Sequence, residues 1–154
     1  ASGKAEERVV VIYDTMWHAT EKMARHIEDG LLSTGVSVKV LPLQSASRSD
    51  VATEMLEATA VIVGTPTLNN NLFPSVADVL TYLKGLKFQT PFGAAFGSYG
   101  WSGEGVPQIK QYLTEMGCEI AGVVNAKYQP DEKVVAECFN LGVEIGNKII
   151  NKIK

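Results

Sequence analysis

Five short apolar runs, most of them rich in Val and Ile, alternate along this chain with segments of helical periodicity, and that alternation restricts the fold more than any other feature. The runs are Val9 to Tyr13, Val36 to Leu41, Ala60 to Gly64, Phe92 to Phe96 and Ile120 to Val124. Their length and apolar character fit strands covered on both faces. Between them, apolar residues recur at helical spacing: Met23, Ile27 and Leu31; Val76, Val79, Leu80 and Leu83; Ile109, Tyr112, Leu113 and Met116; and Val135, Phe139, Gly142, Ile145, Gly146 and Ile149. Asp50 to Glu57 is a weaker helix, Pro74 suits the first turn of the third helix, and Asp131 can cap the last one. Strands alternating with helices pair in parallel through right-handed crossovers, which predicts an α/β three-layer sandwich. The expected sheet has five strands in the order 2-1-3-4-5.

A chain of 154 residues is long enough for one core and short for two domains. Arg8 to Lys154 reads as the domain, and Ala1 to Glu7 as an N-terminal tail or cloning remnant. Fourteen Lys and Arg against seventeen Asp and Glu, with no basic cluster, argue against a nucleic-acid partner. Cys118, placed in a strand, and Cys138, placed in a helix, have no C-x-x-C spacing or nearby histidines, so they read as buried reduced thiols of a cytoplasmic protein. The N-terminus lacks the apolar core of a signal peptide, and no apolar stretch is long enough to span a membrane.

Doubly wound sheets bind ligands beyond the carboxyl ends of their strands, where strand order reverses. In the order 2-1-3-4-5 the loops leaving strands one, three and four are neighbours at that edge, and these three have unusual compositions. The first runs Asp14-Thr15-Met16-Trp17-His18-Ala19-Thr20 into a helix. Its amides and the positive end of the helix dipole suit an anion, and Thr15 and Thr20 add hydroxyl donors. It contains no Lys or Arg, and the chain has no G-x-x-x-x-G-K-[ST], so a single phosphate held by neutral donors fits better than a nucleoside triphosphate. Alternatively, Thr20 simply caps the helix.

The second loop, Thr65-Pro66-Thr67-Leu68-Asn69-Asn70-Asn71, offers amides that suit the polar edge of a heterocycle or a polar surface turn. The third, Phe96-Gly97-Ser98-Tyr99-Gly100-Trp101-Ser102-Gly103-Glu104, combines glycines able to take positive φ and approach a ligand with aromatic stacking faces. It also reads as a solvent-facing turn. Trp17, Leu68, Tyr99 and Trp101 can supply apolar walls for a flat ring, and Trp17 equally suits the core. Neither Asn69 to Asn71 nor Ser98 to Gly103 contains an acid, so a ring held there is not crowded by negative charge, and Glu104 is expected to face solvent.

Three stretches resemble the flavodoxin-like FMN-binding domain of flavodiiron proteins, the A-type flavoproteins: Tyr13 to Ala24, Gly64 to Asn70 and Ala94 to Gly103. The resemblance covers the chain from Arg8 onward. It implies a flavodoxin-like fold, FMN as cofactor, and a phosphate held by Thr15, Met16, Trp17, His18, Ala19 and Thr20. It further implies an isoalloxazine lined on one side by Pro66, Thr67, Leu68, Asn69, Asn70 and Asn71, and on the other by Ser98, Tyr99, Gly100, Trp101, Ser102 and Gly103. His18 and Ala19 stand where many members carry Gly and Ser, which removes a hydroxyl.

Flavodiiron proteins pair such a module with a β-lactamase-like domain that holds two irons. A chain whose only histidines are His18 and His26 cannot house that centre. The resemblance therefore implies an electron-transfer module of an oxygen or nitric oxide reductase. Its partners would be a di-iron domain, in cis or in a dimer partner, and a donor such as rubredoxin or a reductase. A free-standing flavodoxin and a flavodoxin-like NAD(P)H:quinone reductase are the alternatives, the latter without a dinucleotide fingerprint to support it. A signalling receiver needs an aspartate where Gly64-Thr65 stands, and a nucleophile-elbow hydrolase needs a G-x-S-x-G that is absent.

Overall fold

A computed structural model describes residues 8–15, 18–68, 71–99, 104–127 and 129–153. In chain order the elements are β1 (Arg8–Tyr13), α1 (Ala19–Ser33), β2 (Ser37–Pro42), α2 (Arg48–Met55), β3 (Ala58–Leu68), β4 (Asn71–Leu72), α3 (Pro74–Leu86), β5 (Phe92–Tyr99), α4 (Gly105–Glu115), β6 (Glu119–Lys127) and α5 (Glu132–Ile153). Pro74 opens α3, and the Val134 amide donates to Asp131 Oδ1 at 2.9 Å, so both predicted helix starts hold.

The main path of the sheet is parallel in the order β2-β1-β3-β5-β6, which has the connectivity of the predicted five-strand arrangement. A sixth strand departs from the prediction. β3 continues past Gly64 to Leu68 and folds back through β4, with Thr67 opposite Leu72 and Leu68 opposite Asn71. Thr65-Pro66 has the composition of a turn, yet β5 extends alongside it, pairing Thr65 with Gly97 and Pro66 with Ser98. Pairing with β5 and the two-residue return satisfies backbone groups that a free loop would leave to water.

Side chains alternate across each strand, and both faces of the central strands are closed. Val9, Val11 and Tyr13 pack under α1 and α5 with Ile27, Leu31, Ile145 and Ile149. Val10 and Ile12 pack under the other layer with Val51, Leu80, Leu83, Ile109 and Leu113. The edge strand β2 departs from the expected two-sided cover, with Ser37 and Lys39 exposed. Cys118 lies in the turn before β6, its amide donating to Leu113 O at 3.0 Å, and not in a strand.

The helices α1 and α5 cross at two glycines. A Cβ on Gly30 would stand 2.1 Å from Phe139 O, and one on Gly142 would stand 2.3 Å from Ile27 O. Both contacts are with backbone, which cannot rotate away. Alanine raises helix propensity by up to about 1 kcal/mol, but overpacking costs roughly 1–3 kcal/mol, so the steric term wins. Gly30→Ala and Gly142→Ala should therefore lower unfolding stability by about 1–2 kcal/mol in urea titrations. Gly85→Ala, where nothing lies within 4 Å, should be neutral or slightly stabilising.

Burial pushes the Cys118 thiol up to about 11 and the Cys138 thiol up to about 12, Glu137 adding to the latter. Native protein at pH 8 should react with a disulfide reagent only on unfolding. Because the folded state favours the protonated thiols, their contribution to stability is complete below the ordinary value of 9.0 and is lost as pH rises through about 11 to 12. Tyr13, raised chiefly by burial, acts in the same direction. Urea midpoints measured from pH 8 upward should fall continuously above about pH 9.

Candidate functional site

The carboxyl ends of β1, β3 and β5 lie side by side. Tyr13 is opposite Gly64, and Thr65 and Pro66 are opposite Gly97 and Ser98. Hydroxyl-bearing residues begin where the apolar runs stop: Thr15 after β1, Thr65 and Thr67 within β3, and Ser98 within β5.

α1 starts at this edge without a side-chain cap. Its N-cap residue is His18, held in the left-handed region at φ 62. The first amides of a helix have no acceptor inside it. Here the Glu21 amide donates to Thr15 Oγ1 at 3.4 Å and the Lys22 amide to His18 O at 3.1 Å. The Ala19 and Thr20 amides have no acceptor within the helix, and they sit at its positive end, which suits an anion. Thr20 is fully buried and is not the cap: its Oγ1 lies 3.2 Å from Ser98 Oγ. That hydrogen bond spans β3 and ties the first loop to the third. His18 is 86% exposed, with Nδ1 3.0 Å from Glu21 Oε1, while Arg25 approaches Glu21 Oε2 at 2.7 Å. The His18 hydrogen bond, assisted by Arg25, holds the Glu21 carboxyl below its ordinary value.

The second loop is committed to neighbouring helices. Thr67 Oγ1 accepts from the Gly105 amide at 3.1 Å, fastening the start of α4 to β3. Thr65 Oγ1 donates to Pro66 O and accepts from the Phe73 amide, both at 2.8 Å. Asn71 is exposed, its Oδ1 accepting from Gln108 Nε2 at 3.0 Å, while Gln108 Oε1 accepts from the Leu72 amide at 2.7 Å. Pro66 is buried, and Tyr99, half-buried, ends β5. Gly97 does not adopt positive φ, contrary to the sequence reading. Its requirement is space, since a Cβ would stand 2.4 Å from Thr65 O. Glu104 is the exposed N-cap residue of α4 and faces solvent as expected.

Of the predicted site residues, Thr15, His18, Ala19, Thr20, Pro66, Thr67, Leu68, Asn71, Ser98 and Tyr99 thus gather at one sheet edge. Met16, Trp17, Asn69, Asn70, Gly100, Trp101, Ser102 and Gly103 lie outside the described residues. Sequence reasoning missed three residues that brace the edge. Asp14 is buried and accepts from the Thr15 amide and the Ser75 hydroxyl, and Gln108 clamps the β3–β4 hairpin. The available signals were an acid directly after an apolar strand and a Pro-Ser helix start.

A parallel sheet with helices on both faces, and a helix start without a side-chain cap from its N-cap residue at the switch point, defines the class: an open, doubly wound α/β domain, a fold whose ligand sites lie at the carboxyl edge of the sheet. The flavodoxin family model matches residues 11–142, and the chain belongs to the flavodoxin family. It is 38% identical over 151 residues to a nitric oxide reductase of Moorella thermoacetica, covering 97% of this chain and 38% of that protein. The rubredoxin oxygen:oxidoreductase structure from Desulfovibrio gigas superposes with a TM-score of 0.92 at 38% identity, covering 95% of this chain and 37% of that one. A flavodoxin from the domain Archaea gives 0.83 at 31% identity, covering 93% and 99%. The chain therefore spans about a third of the length of the reductases it matches. Among the described residues no helix is long and apolar enough to cross a membrane.

The Thr20–Ser98 contact generates a direct test. Thr20→Val keeps the volume but leaves the buried Ser98 hydroxyl without its partner, a penalty of about 1–3 kcal/mol. Urea denaturation should show that loss, and Ser98→Ala combined with Thr20→Val should recover part of it.

Proposed function

We propose that this chain is an FMN-binding electron-transfer module, the flavodoxin part of a flavodiiron oxygen or nitric oxide reductase. The observation that carries the reading is the uncapped start of α1 at the switch point of the sheet, with Thr15, Thr20 and Ser98 grouped around it. Flavodoxins are the type example of FMN bound at the first switch point of this strand order. The donor set fits one phosphate monoester: two helix amides and neutral hydroxyls, with no Lys or Arg in the loop. When bound, FMN supplies the redox chemistry, accepting and releasing one or two electrons.

The chain's own residues bind and orient. Ala19 and Thr20 present amides, Thr15 presents a hydroxyl, and the ends of β3 and β5 form the floor on which Pro66 to Asn71 and Ser98 to Gly103 line the ring. The size ratio and the names of the matched proteins, a flavodiiron protein from Giardia intestinalis among them, support a di-iron partner domain, in cis or in a second subunit, and a donor of the rubredoxin or reductase kind. A free-standing flavodoxin is the second reading, favoured by the archaeal flavodoxin that the chain covers almost completely.

Released flavin identified by mass should be FMN, one per chain; recovery of mainly FAD overturns the assignment, because the proposed pocket holds a single phosphate at the start of α1. Thr15→Ala should weaken FMN roughly tenfold and riboflavin much less, since a hydrogen bond to a charged group is worth about 1.5–3 kcal/mol. Rapid NADPH oxidation with a quinone as acceptor would favour the quinone-reductase alternative instead.

A further inference from the structure

Among the described residues, Asp14 is the only buried acid, 6% exposed, and it immediately precedes the loop assigned to the phosphate. Carboxylates are rarely buried without partners, and both oxygens of this one are engaged. Oδ1 accepts from the Thr15 amide at 2.8 Å, and Oδ2 accepts from the Ser75 hydroxyl at 2.6 Å. The Asp14 amide donates to Gly64 O at 3.4 Å, carrying the β1–β3 ladder one residue further. Ser75 lies in the first turn of α3, which has no side-chain cap of its own, so the acid also faces the positive end of that helix.

The sign of the charge is informative. A loop without Lys or Arg binds a phosphate through neutral donors, and an acid beside it opposes the ligand by direct electrostatics. The contribution of Asp14 must therefore be geometric. We infer that Asp14 is a positioning residue, which holds the Thr15 backbone against α3 through Ser75 and so sets the place of the Thr15 hydroxyl before ligand arrives. The Thr15 amide is committed to Asp14 and is not a phosphate donor. The Thr15 hydroxyl accepts from the Glu21 amide, which leaves its own proton directed elsewhere and available to the phosphate. A donor residue held in advance loses less conformational freedom on binding. Ser75, on a helix that contributes no predicted site residue, becomes part of the same device.

The inference rests on the FMN reading above, and the test separates the two. The full chain, freed of flavin, is titrated with FMN and with riboflavin, as are its Asp14→Ala, Ser75→Ala and Ser75→Thr variants. Asp14→Ala should weaken FMN roughly tenfold, with riboflavin little changed. Ser75→Ala should act in the same direction by a smaller factor, and Ser75→Thr, which keeps the hydroxyl, should restore wild-type affinity. Tighter or unchanged FMN binding by Asp14→Ala overturns the inference, tighter binding being what charge repulsion alone dictates. Equal losses for both flavins overturn it as well, because they mark a purely structural acid. If Asp14→Ala does not fold, the Ser75 pair decides alone. Wild-type protein that binds FMN no better than riboflavin removes the phosphate site itself, whatever the variants do.

Discussion

Over the spans Val9 to Tyr13, Ala60 to Gly64 and Phe92 to Gly97, β1, β3 and β5 carry apolar side chains or glycine, with α1 and α5 over one face and α2, α3 and α4 over the other. A polar group placed mid-strand would have no water and few partners, at a cost of several kcal/mol. Polar side chains are thereby driven to the strand ends, and right-handed crossovers put the carboxyl ends of all the main strands on one side. Asp14, Thr15, Thr65, Thr67 and Ser98 appear as soon as the core permits them. No buried side-chain oxygen or nitrogen among the described residues lacks a hydrogen-bond partner. The concentration of chemistry at one edge follows from closing both faces of the sheet.

The strand and helix pattern was legible because burial on two faces leaves a plain signature in Val9 to Tyr13 and Ala60 to Gly64. Pairing partners were less so. Thr65-Pro66 reads locally as a turn, and only β5 running alongside makes it strand. Thr20 at the head of a helix reads as a cap, whereas its hydroxyl meets Ser98, 78 positions later. Gly97 reads as a place where backbone can approach a ligand, yet its constraint is the Thr65 carbonyl on the adjacent strand. Asp14 was visible as a loop residue and Ser75 as part of a Pro-Ser helix start, but nothing local pairs the two, 61 positions apart. The misreadings share one cause: these roles are set by contacts between distant segments, which composition and periodicity do not encode.

The glycines that matter most in this fold act through what their missing Cβ allows. Gly30 and Gly142 let two helix backbones meet, and Gly64 leaves room for the Phe96 ring, which would otherwise lie 2.2 Å from a Cβ. The β3–β5 junction beneath the site is therefore dense. The strand ends on this floor are held in place, since side chains packed this closely leave few alternative positions.

Gln108 ties the hairpin after β3 to the body of α4, and Thr67 ties the first amide of α4 back to β3. Hairpin and helix start are thus a single cooperative unit of local unfolding. Amide hydrogens of Leu72 and Gly105 share one opening event, and the hairpin cannot swing away while α4 stays docked.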